Sequence, residues 1–257
     1  MVPARTVDLN ADVGEATDEE GVAGERALFG LVSSVNIACG GYAGDEASMT
    51  ATVIAALQAS LRIGARPGYP DPEGFGLRPM RISRSDLRSS VGDQLRALDR
   101  VCRAGGTTIQ SVKPHGALYE EVSKGGAVYE AVCDAVYDAC GASTALVLPS
   151  ACRATAMALR DGVPVCEEGF CDRAYRPDGG LVDRTEPGAL LADPADAACQ
   201  ALSLAKGAVV ASDGSVLTLW VDTLCLHWDS PGAVAIATAV CTALAESGID
   251  VVAPAPL

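Results

Sequence analysis

Short apolar segments flanked by helical stretches constrain this chain more than any other feature of its sequence. Seven of them recur along the 257 residues: VDLN, LVSSVNIAC, IGA, TIQSVK, ALVLPS, VPVCEE and TLCLHW. Several are unbroken, as strands buried on both faces are, and such strands belong to a parallel sheet covered by helices. Between them lie EASMTATVIAALQASLR, SRSDLRSSVGDQLRALDRVCRA, KGGAVYEAVCDAVYDAC, DPADAACQALSLAKG and SPGAVAIATAVCTALAESG, each with an apolar stripe at helical spacing. This βα repeat predicts an α/β chain, specifically a (β/α) barrel of about seven strands in a single domain over residues 1–257. A doubly wound open sheet is the alternative. In both architectures ligands sit at the carboxyl ends of the strands, so polar residues that follow an apolar run are the candidates for function.

Local signals refine the pattern. Ser83 with Asp86 reads as a capping box, Asp193-Pro194 and Ser230-Pro231 read as N-caps with proline at N1, and Gly207 and Gly248 read as helix stops. Around Asp213-Gly214, VVASDGSVLTLW predicts an antiparallel hairpin decorating the sheet. A net charge of −14 and a pI near 4.5 repel phosphate backbones and anionic lipid surfaces, so neither nucleic acid nor membrane is an expected partner. No run approaches the roughly 18 apolar residues of a membrane span, and the start, MVPARTVDLNADVGEA, turns acidic before a signal-peptide core develops; a cytoplasmic location is expected. The ten cysteines include no C-x-x-C and sit mostly in Ala/Val-rich runs, the placing of reduced packing residues. Cys39 and Cys171 neighbour polar motifs and carry the alternative reading of thiol nucleophile or metal ligand.

The polar motifs follow the strands in order. In DLNADVGE, alternation sends Asp8, Asn10 and Asp12 to one side of an extended segment, with Glu15 just beyond. Asp12 or Glu15 as a cap of the next helix is the simpler alternative. SSVNIACGGYAGD carries Ser33, Ser34 and Asn36, a Gly-Gly turn open to close approach by a ligand, and Asp45 at a helix start, where a carboxylate or phosphate would dock. GARPGYPDPEGFGLRPM, with Arg66, Tyr69, Asp71 and Arg78, is too rich in Gly and Pro for regular structure and is either a lid or a rigid spacer. VKPHGALY places Lys113 and His115 at a strand end, where a lysine needs acidic neighbours such as those of DLNADVGE. EEGFCDRAY supplies Glu167, Glu168, Asp172 and Arg173, the last two a candidate structural ion pair. TLCLHWDSPGA supplies His227 and Asp229 before a helix.

Taken with GGLVDR, these six motifs in this order resemble the LamB/YcsF family, from about Val7 to the final helix. The resemblance implies a barrel like those of the glycoside hydrolase/deacetylase superfamily. It also implies a hydrolase that opens 5-oxoproline to L-glutamate with ATP as cosubstrate, working with partner subunits B and C of 5-oxoprolinase; a homo-oligomer is a further possibility. A five-membered lactam is a poor electrophile, which phosphorylation of its amide oxygen by ATP would correct, leaving water to attack. Carried over by motif, Asp12 or Glu15 would be the base that orients water, Lys113 would neutralise charge on the oxygen, and His115 would assist proton transfer. Asp8, Asn10, Asn36, Tyr42, Asp45, Arg66, Asp71, Glu168, Asp172, Arg173, His227 and Asp229 would bind substrate. The family typically has His where this chain has Tyr42 and Arg66, and His-Gly-Asp where it has His227-Trp228-Asp229. Loss of the first two histidines removes nitrogen ligands, so no tightly held metal is expected. Two alternatives remain at this stage: a non-catalytic paralogue that binds a small carboxylate or a partner protein, and a deacetylase-like amide hydrolase.

Overall fold

The computed structural model describes residues 5–230 and 232–254. Its elements in chain order are β1 (Arg5–Val13), α1 (Glu19–Ala27), β2 (Ser34–Ala38), α2 (Glu46–Gln58), β3 (Arg62–Arg66), α3 (Arg84–Ala104), β4 (Ser111–Val112), α4 (Gly116–Ser123), α5 (Ala127–Cys140), β5 (Ala145–Pro149), α6 (Arg153–Asp161), β6 (Val165–Phe170), α7 (Pro194–Ala205), β7 (Ala208–Val210), β8 (Val216–Thr218), β9 (Thr223–Leu226), α8 (Ala233–Glu246) and β10 (Ile249–Val251). Strands β1 to β6 run side by side, and β9 pairs with both β6 and β1, which closes a seven-stranded parallel barrel. Closure removes the open-sheet alternative. Each of the seven apolar runs supplies one barrel strand. β10 pairs only with the amino-terminal end of β1, through Arg5↔Ile249 to Val7↔Val251. β7 and β8 form the expected hairpin, a separate antiparallel pair.

The period of two within each strand sorts its side chains. Leu9, Ala11 and Val13 of β1 join the apolar layer under the helices, while Asp8, Asn10 and Asp12 turn into the barrel. Both sets are buried, so the barrel is lined by a polar network in place of the usual branched aliphatic layers. The helices supply the apolar burial. Leu87, Val91, Leu95, Leu98 and Cys102 of α3 are all buried on one face, and truncating any one such leucine to alanine costs about 2–5 kcal/mol. On the outer face, Arg84 reaches Glu130 and Asp134 of α5 at 2.9 and 3.0 Å, exposed pairs that contribute at most about 1 kcal/mol each.

Several local readings change. Neither Asp12 nor Glu15 caps a helix; Asp18 caps α1, accepting from Gly21 N at 2.7 Å. Ser83 caps α3 but its box is one-sided, because the hydroxyl both accepts from Asp86 N (3.1 Å) and donates to the Asp86 carboxylate (2.7 Å). Asp193 caps α7 with Pro194 behind it, and Gly207 and Gly248 follow α7 and α8 at positive φ, as stops do. Ser230 is not an N-cap: α8 starts from Gly232, and the Ser230 hydroxyl donates to Asp172 instead (2.9 Å). Pro231 lies outside the described residues. No helix among the described residues is long and apolar enough to cross a membrane.

Candidate functional site

The floor of the barrel is a self-contained hydrogen-bond cluster. Asp8 accepts from Ser33 (2.7 Å), Ser34 (2.8 Å) and Thr223 (2.5 Å), and burial raises its pKa against these bonds. Asn10 stands one layer up, donating to Thr223 Oγ1 at 2.7 Å and Glu168 Oε1 at 3.0 Å. Asn36 donates to Asn10 Oδ1 (2.8 Å) and Asp12 Oδ1 (3.0 Å). These amides and hydroxyls orient the carboxylates above them.

Lys113 holds the centre. Its ammonium lies 2.7 Å from Glu168 Oε1, 3.1 Å from Asp12 Oδ2 and 3.1 Å from Cys225 Sγ, with the Phe170 ring centroid 5.6 Å away. Tyr119 donates to the other Glu168 oxygen at 2.7 Å. Burial opposes the charge on Lys113, but the two carboxylates outweigh it and raise its pKa. Burial likewise opposes ionisation of Asp12, yet the Arg66 guanidinium and Lys113 hold its carboxyl well below the usual range.

Arg66, the last residue of β3, spans two carboxylates. One terminal nitrogen is 2.8 Å from Asp12 Oδ2 and the other contacts Glu15 Oε1. Tyr42 donates to the same Glu15 oxygen at 2.6 Å and stacks on His115, with centroids 3.6 Å apart and planes 8° from parallel. Phe75 sits edge-on to both rings, and its carbonyl lies 2.8 Å from His115 Nε2. A carbonyl can only accept, so Nε2 carries the proton and Nδ1 keeps a lone pair. That nitrogen is buried without a hydrogen-bond partner and faces Glu15 Oε1 at 3.7 Å. Burial and the Arg66 charge push the His115 pKa down to about 3, so the imidazole is neutral. The Gly/Pro-rich segment after β3 is therefore a spacer that packs His115 in place. Gly76 in it has φ +65°, and an added Cβ would lie 2.9 Å from His115 Cδ2.

The His115 shift gives a stability prediction. The folded pKa lies below the unfolded value of about 6.5, so the unfolded chain binds more protons; stability is full above pH ~6.5 and falls toward pH 3 by up to about 1.4 kcal/mol per unit. Between pH 6 and pH 4, urea unfolding should show a loss of about 1 kcal/mol per unit in the wild type beyond that of His115→Gln. Parallel slopes would refute the neutral buried imidazole.

The opposite side of the barrel mouth holds an acid–imidazole pair. Asp172, after β6, lies 2.9 Å from His227 Nδ1 and also accepts from His227 N (3.2 Å). Burial raises the Asp172 pKa, but His227 and Ser230 bring it below the normal value. The expected Asp172–Arg173 ion pair is absent: Arg173 donates to the Val182 carbonyl at 2.7 Å. Asp12, Cys225 and His227 each bring a ligand atom within 4.8 Å of the others. A thiolate would be needed there, whereas burial holds the Cys225 thiol well above its normal pKa and the Lys113 ammonium already stands beside two of the three.

Other candidates stand apart. Asp45 caps α2 through a reciprocal box with Ser48 (2.8 Å each way) and does not pair with Arg66. Asp71 binds Arg78 and Gly74 N (3.1 Å) in the spacer. Asp229 meets Arg184 at 3.3 Å on the surface. Glu167 accepts from Ser150 Oγ (3.0 Å) and Ala151 N (3.1 Å), away from Lys113. The Gly-Gly turn after β2 approaches a side chain, not open space: a Cβ on Gly41 would collide with Gln94, whose amide pairs with both backbone groups of Gly68 (3.0 and 2.9 Å). Thiols Cys39 and Cys171 are buried, and burial raises both pKa values, so neither is a ready nucleophile.

Four participants are not among the candidate residues: Tyr119, Thr223 and Cys225 lie inside VKPHGALY and TLCLHWDSPGA without being singled out, and Glu25 lies outside every motif. Glu25 is buried and accepts from Gly14 N, Glu15 N and Ala16 N at 2.9, 2.9 and 3.0 Å, so a helix residue fixes the turn that carries Glu15. Trp228 rests against Gly21 and Gly24 of α1, with an added Cβ at either falling within 3.6 Å of the ring. The ring thus packs on a helix rather than filling the barrel.

Known proteins match this arrangement over nearly its whole length. The LamB/YcsF family profile matches residues 7–257. A protein of Methylococcus capsulatus described as the A-subunit of 5-oxoprolinase is 43% identical over 251 residues, covering 97% of this chain and 96% of its own. The protein of the same description from Mycobacterium avium is 42% identical over 252 residues, covering 95% and 97%. The crystal structure of a lactam utilization protein from Thermus thermophilus superposes with a TM-score of 0.88 at 36% identity, covering 97% of this chain and all of the other. This chain is a member of the LamB/YcsF family.

Proposed function

We propose that this protein is the lactam-opening component of an ATP-dependent 5-oxoprolinase, converting 5-oxoproline to L-glutamate together with partner subunits B and C. The single observation that carries the reading is a buried, charged Lys113 at the barrel centre, next to a neutral His115 with a free Nδ1 lone pair, in a chain over 40% identical to proteins described as the A-subunit of 5-oxoprolinase. Lys113 would stabilise negative charge developing on the lactam oxygen, and a preformed ammonium in a dry site needs no reorganisation to do so. Asp12 is locked between Arg66 and Lys113. Glu15, held by one cation, Arg66, where Asp12 has two, and facing His115 at 3.7 Å, is the carboxylate we assign to orient the attacking water and take its proton, with the neutral His115 Nδ1 accepting a hydrogen bond from that water. ATP would activate the lactam by transferring its γ-phosphoryl group to the amide oxygen with release of ADP, which makes the ring carbon a good electrophile; water adds there, the ring C–N bond breaks with the nitrogen leaving as the free amine, and hydrolysis of the resulting acyl phosphate releases phosphate and L-glutamate.

The experiment is glutamate release from 5-oxoproline and ATP by the purified chain, alone and with its partner subunits. Activity that depends on ATP and on Lys113 supports the reading; binding of 5-oxoproline without turnover under every combination would favour the non-catalytic alternative. No resident transition metal enters this mechanism. Elemental analysis after dialysis should accordingly find far less than one zinc per chain, because Cys225 is a neutral thiol beside an ammonium. Stoichiometric zinc retained through dialysis would overturn this and revive the deacetylase-like reading.

A further inference from the structure

Arg173 is the buried cation the mechanism above does not use. Only 8% of it is exposed. Its terminal nitrogen donates to the Val182 carbonyl at 2.7 Å, its Nε is buried with no partner, and no carboxylate forms a salt bridge with it among the described residues. Its neighbour Asp172 is committed to His227 and Ser230. The chain has gone to some length to place it: Arg173 bridges to Leu190, its carbonyl accepts from Gln200 (2.7 Å), and the GGLVDR segment supplies the carbonyl it binds. Arg184 from the same segment stands at the rim, half exposed, with only a 3.3 Å contact to Asp229. A guanidinium cannot shed its proton, and one buried without a counter-charge is costly unless an anion arrives. Burial and then the charge of Arg184 lower its pKa, and the carboxylates of Asp172 and Asp183, neither in a salt bridge with it, offset this only in part.

We infer that Arg173, with Arg184 at the rim, is the seat for an oxyanion ligand: the carboxylate of the lactam acid or a phosphate group of the nucleotide. The fork of Arg173 would take two oxygens side by side. This rests on the proposed function only for the names of the two candidate anions. It places anion recognition on the β6–α7 segment, across the mouth from Arg66, and leaves the Lys113 side to the reacting amide.

The test is calorimetry of the full chain, with its partner subunits where they co-purify, using 5-oxoproline, 2-pyrrolidinone (the same lactam without its carboxylate), ATP and inorganic phosphate. Arg173→Met should weaken the anion that uses the seat by about 10- to 100-fold, the scale of a lost charge-assisted hydrogen bond, and leave 2-pyrrolidinone unchanged. Arg173→Lys should lose part of that affinity and Arg184→Gln less. Loss confined to 5-oxoproline identifies the carboxylate; loss shared by ATP and phosphate identifies the nucleotide. Because Arg173 has no ionic partner to abandon, Arg173→Met without ligand should melt at the wild-type temperature or above. Unchanged affinity for every anion in a folded variant, or a wild type that binds none of the four, would overturn the inference. If phosphate binding falls while 5-oxoproline never binds, the seat stands and the proposed substrate fails.

Discussion

Replacing Lys113 by Met is expected to lower turnover of 5-oxoproline by on the order of 10²-fold or more, the effect of losing a preorganised charge-stabilising donor. It is also expected to destabilise the fold by about 3–5 kcal/mol, because breaking a buried ion pair strands its partners. The ammonium sits between Glu168 at 2.7 Å and Asp12 at 3.1 Å. Asp12 keeps Arg66, but Glu168 is left with Asn10 and the Tyr119 hydroxyl. Two effects on one residue are separated by a second change. Adding Glu168→Gln to Lys113→Met removes the stranded charge and should recover much of the stability, measured by urea unfolding, without restoring turnover. Full activity in a Lys113→Met protein that is folded at the assay temperature would end the mechanism proposed here.

The barrel was legible because its strands are short, apolar and evenly spaced, and because the five longest helical stretches have a buried stripe. Three shorter helices, α1, α4 and α6, escape the same reading. Each has eight or nine residues, a length with too few turns for a stripe to stand out. β10 is three residues long and owes its pairing to the start of β1 rather than to its own pattern. Capping is legible where only local geometry decides, as at Asp193-Pro194. It fails at Ser230, whose hydroxyl is taken by a residue 58 positions away in sequence.

The site divides the same way. Residues in one strand could be grouped by alternation, so Asp8, Asn10 and Asp12 were found together, and a lysine at a strand end predicted its acidic partners. Which partner each charge selects is a property of closure. Asp172 and Arg173 are adjacent and of opposite charge, yet the chain after β6 sends Asp172 to His227 and Arg173 to a backbone carbonyl. Glu25 and Cys225 could not have been found from spacing. One lies on the short helix α1, which no motif marks, and the other within an apolar strand whose alternate residues face a polar interior.

Arg66→Met is expected to cost about 3–5 kcal/mol of stability while changing the affinity for 5-oxoproline less than about twofold. The first part follows from the two carboxylates it spans: Asp12 loses a contact at 2.8 Å, and Glu15 loses the one cation that contacts it among the described residues, keeping the Tyr42 hydroxyl at 2.6 Å and Trp228 Nε1 at 3.5 Å. The second follows from occupancy. Both terminal nitrogens of Arg66 are engaged, so an incoming carboxylate would have to evict Asp12 or Glu15, each buried and already better placed than a mobile ligand. Loss of the guanidinium also removes a leading cause of the low Asp12 pKa. Sign follows directly: a carboxyl whose folded pKa is depressed lends stability above the unfolded value of about 4 and loses it as pH falls, so the variant's unfolding free energy should depend less steeply on pH below 4. His115 responds oppositely, since the Arg66 charge is second, after burial, among the causes that lower its pKa; in the variant its protonation should begin at a higher pH than in the wild type. Arg66→Lys, which keeps the charge but not the fork, should fall between Met and wild type in stability. Urea unfolding from pH 3 to 7 and calorimetry with 5-oxoproline read all of these. A tenfold loss of affinity with an unchanged urea midpoint would instead make Arg66 the ligand clamp, and would move the anion seat from the β6–α7 segment to the end of β3.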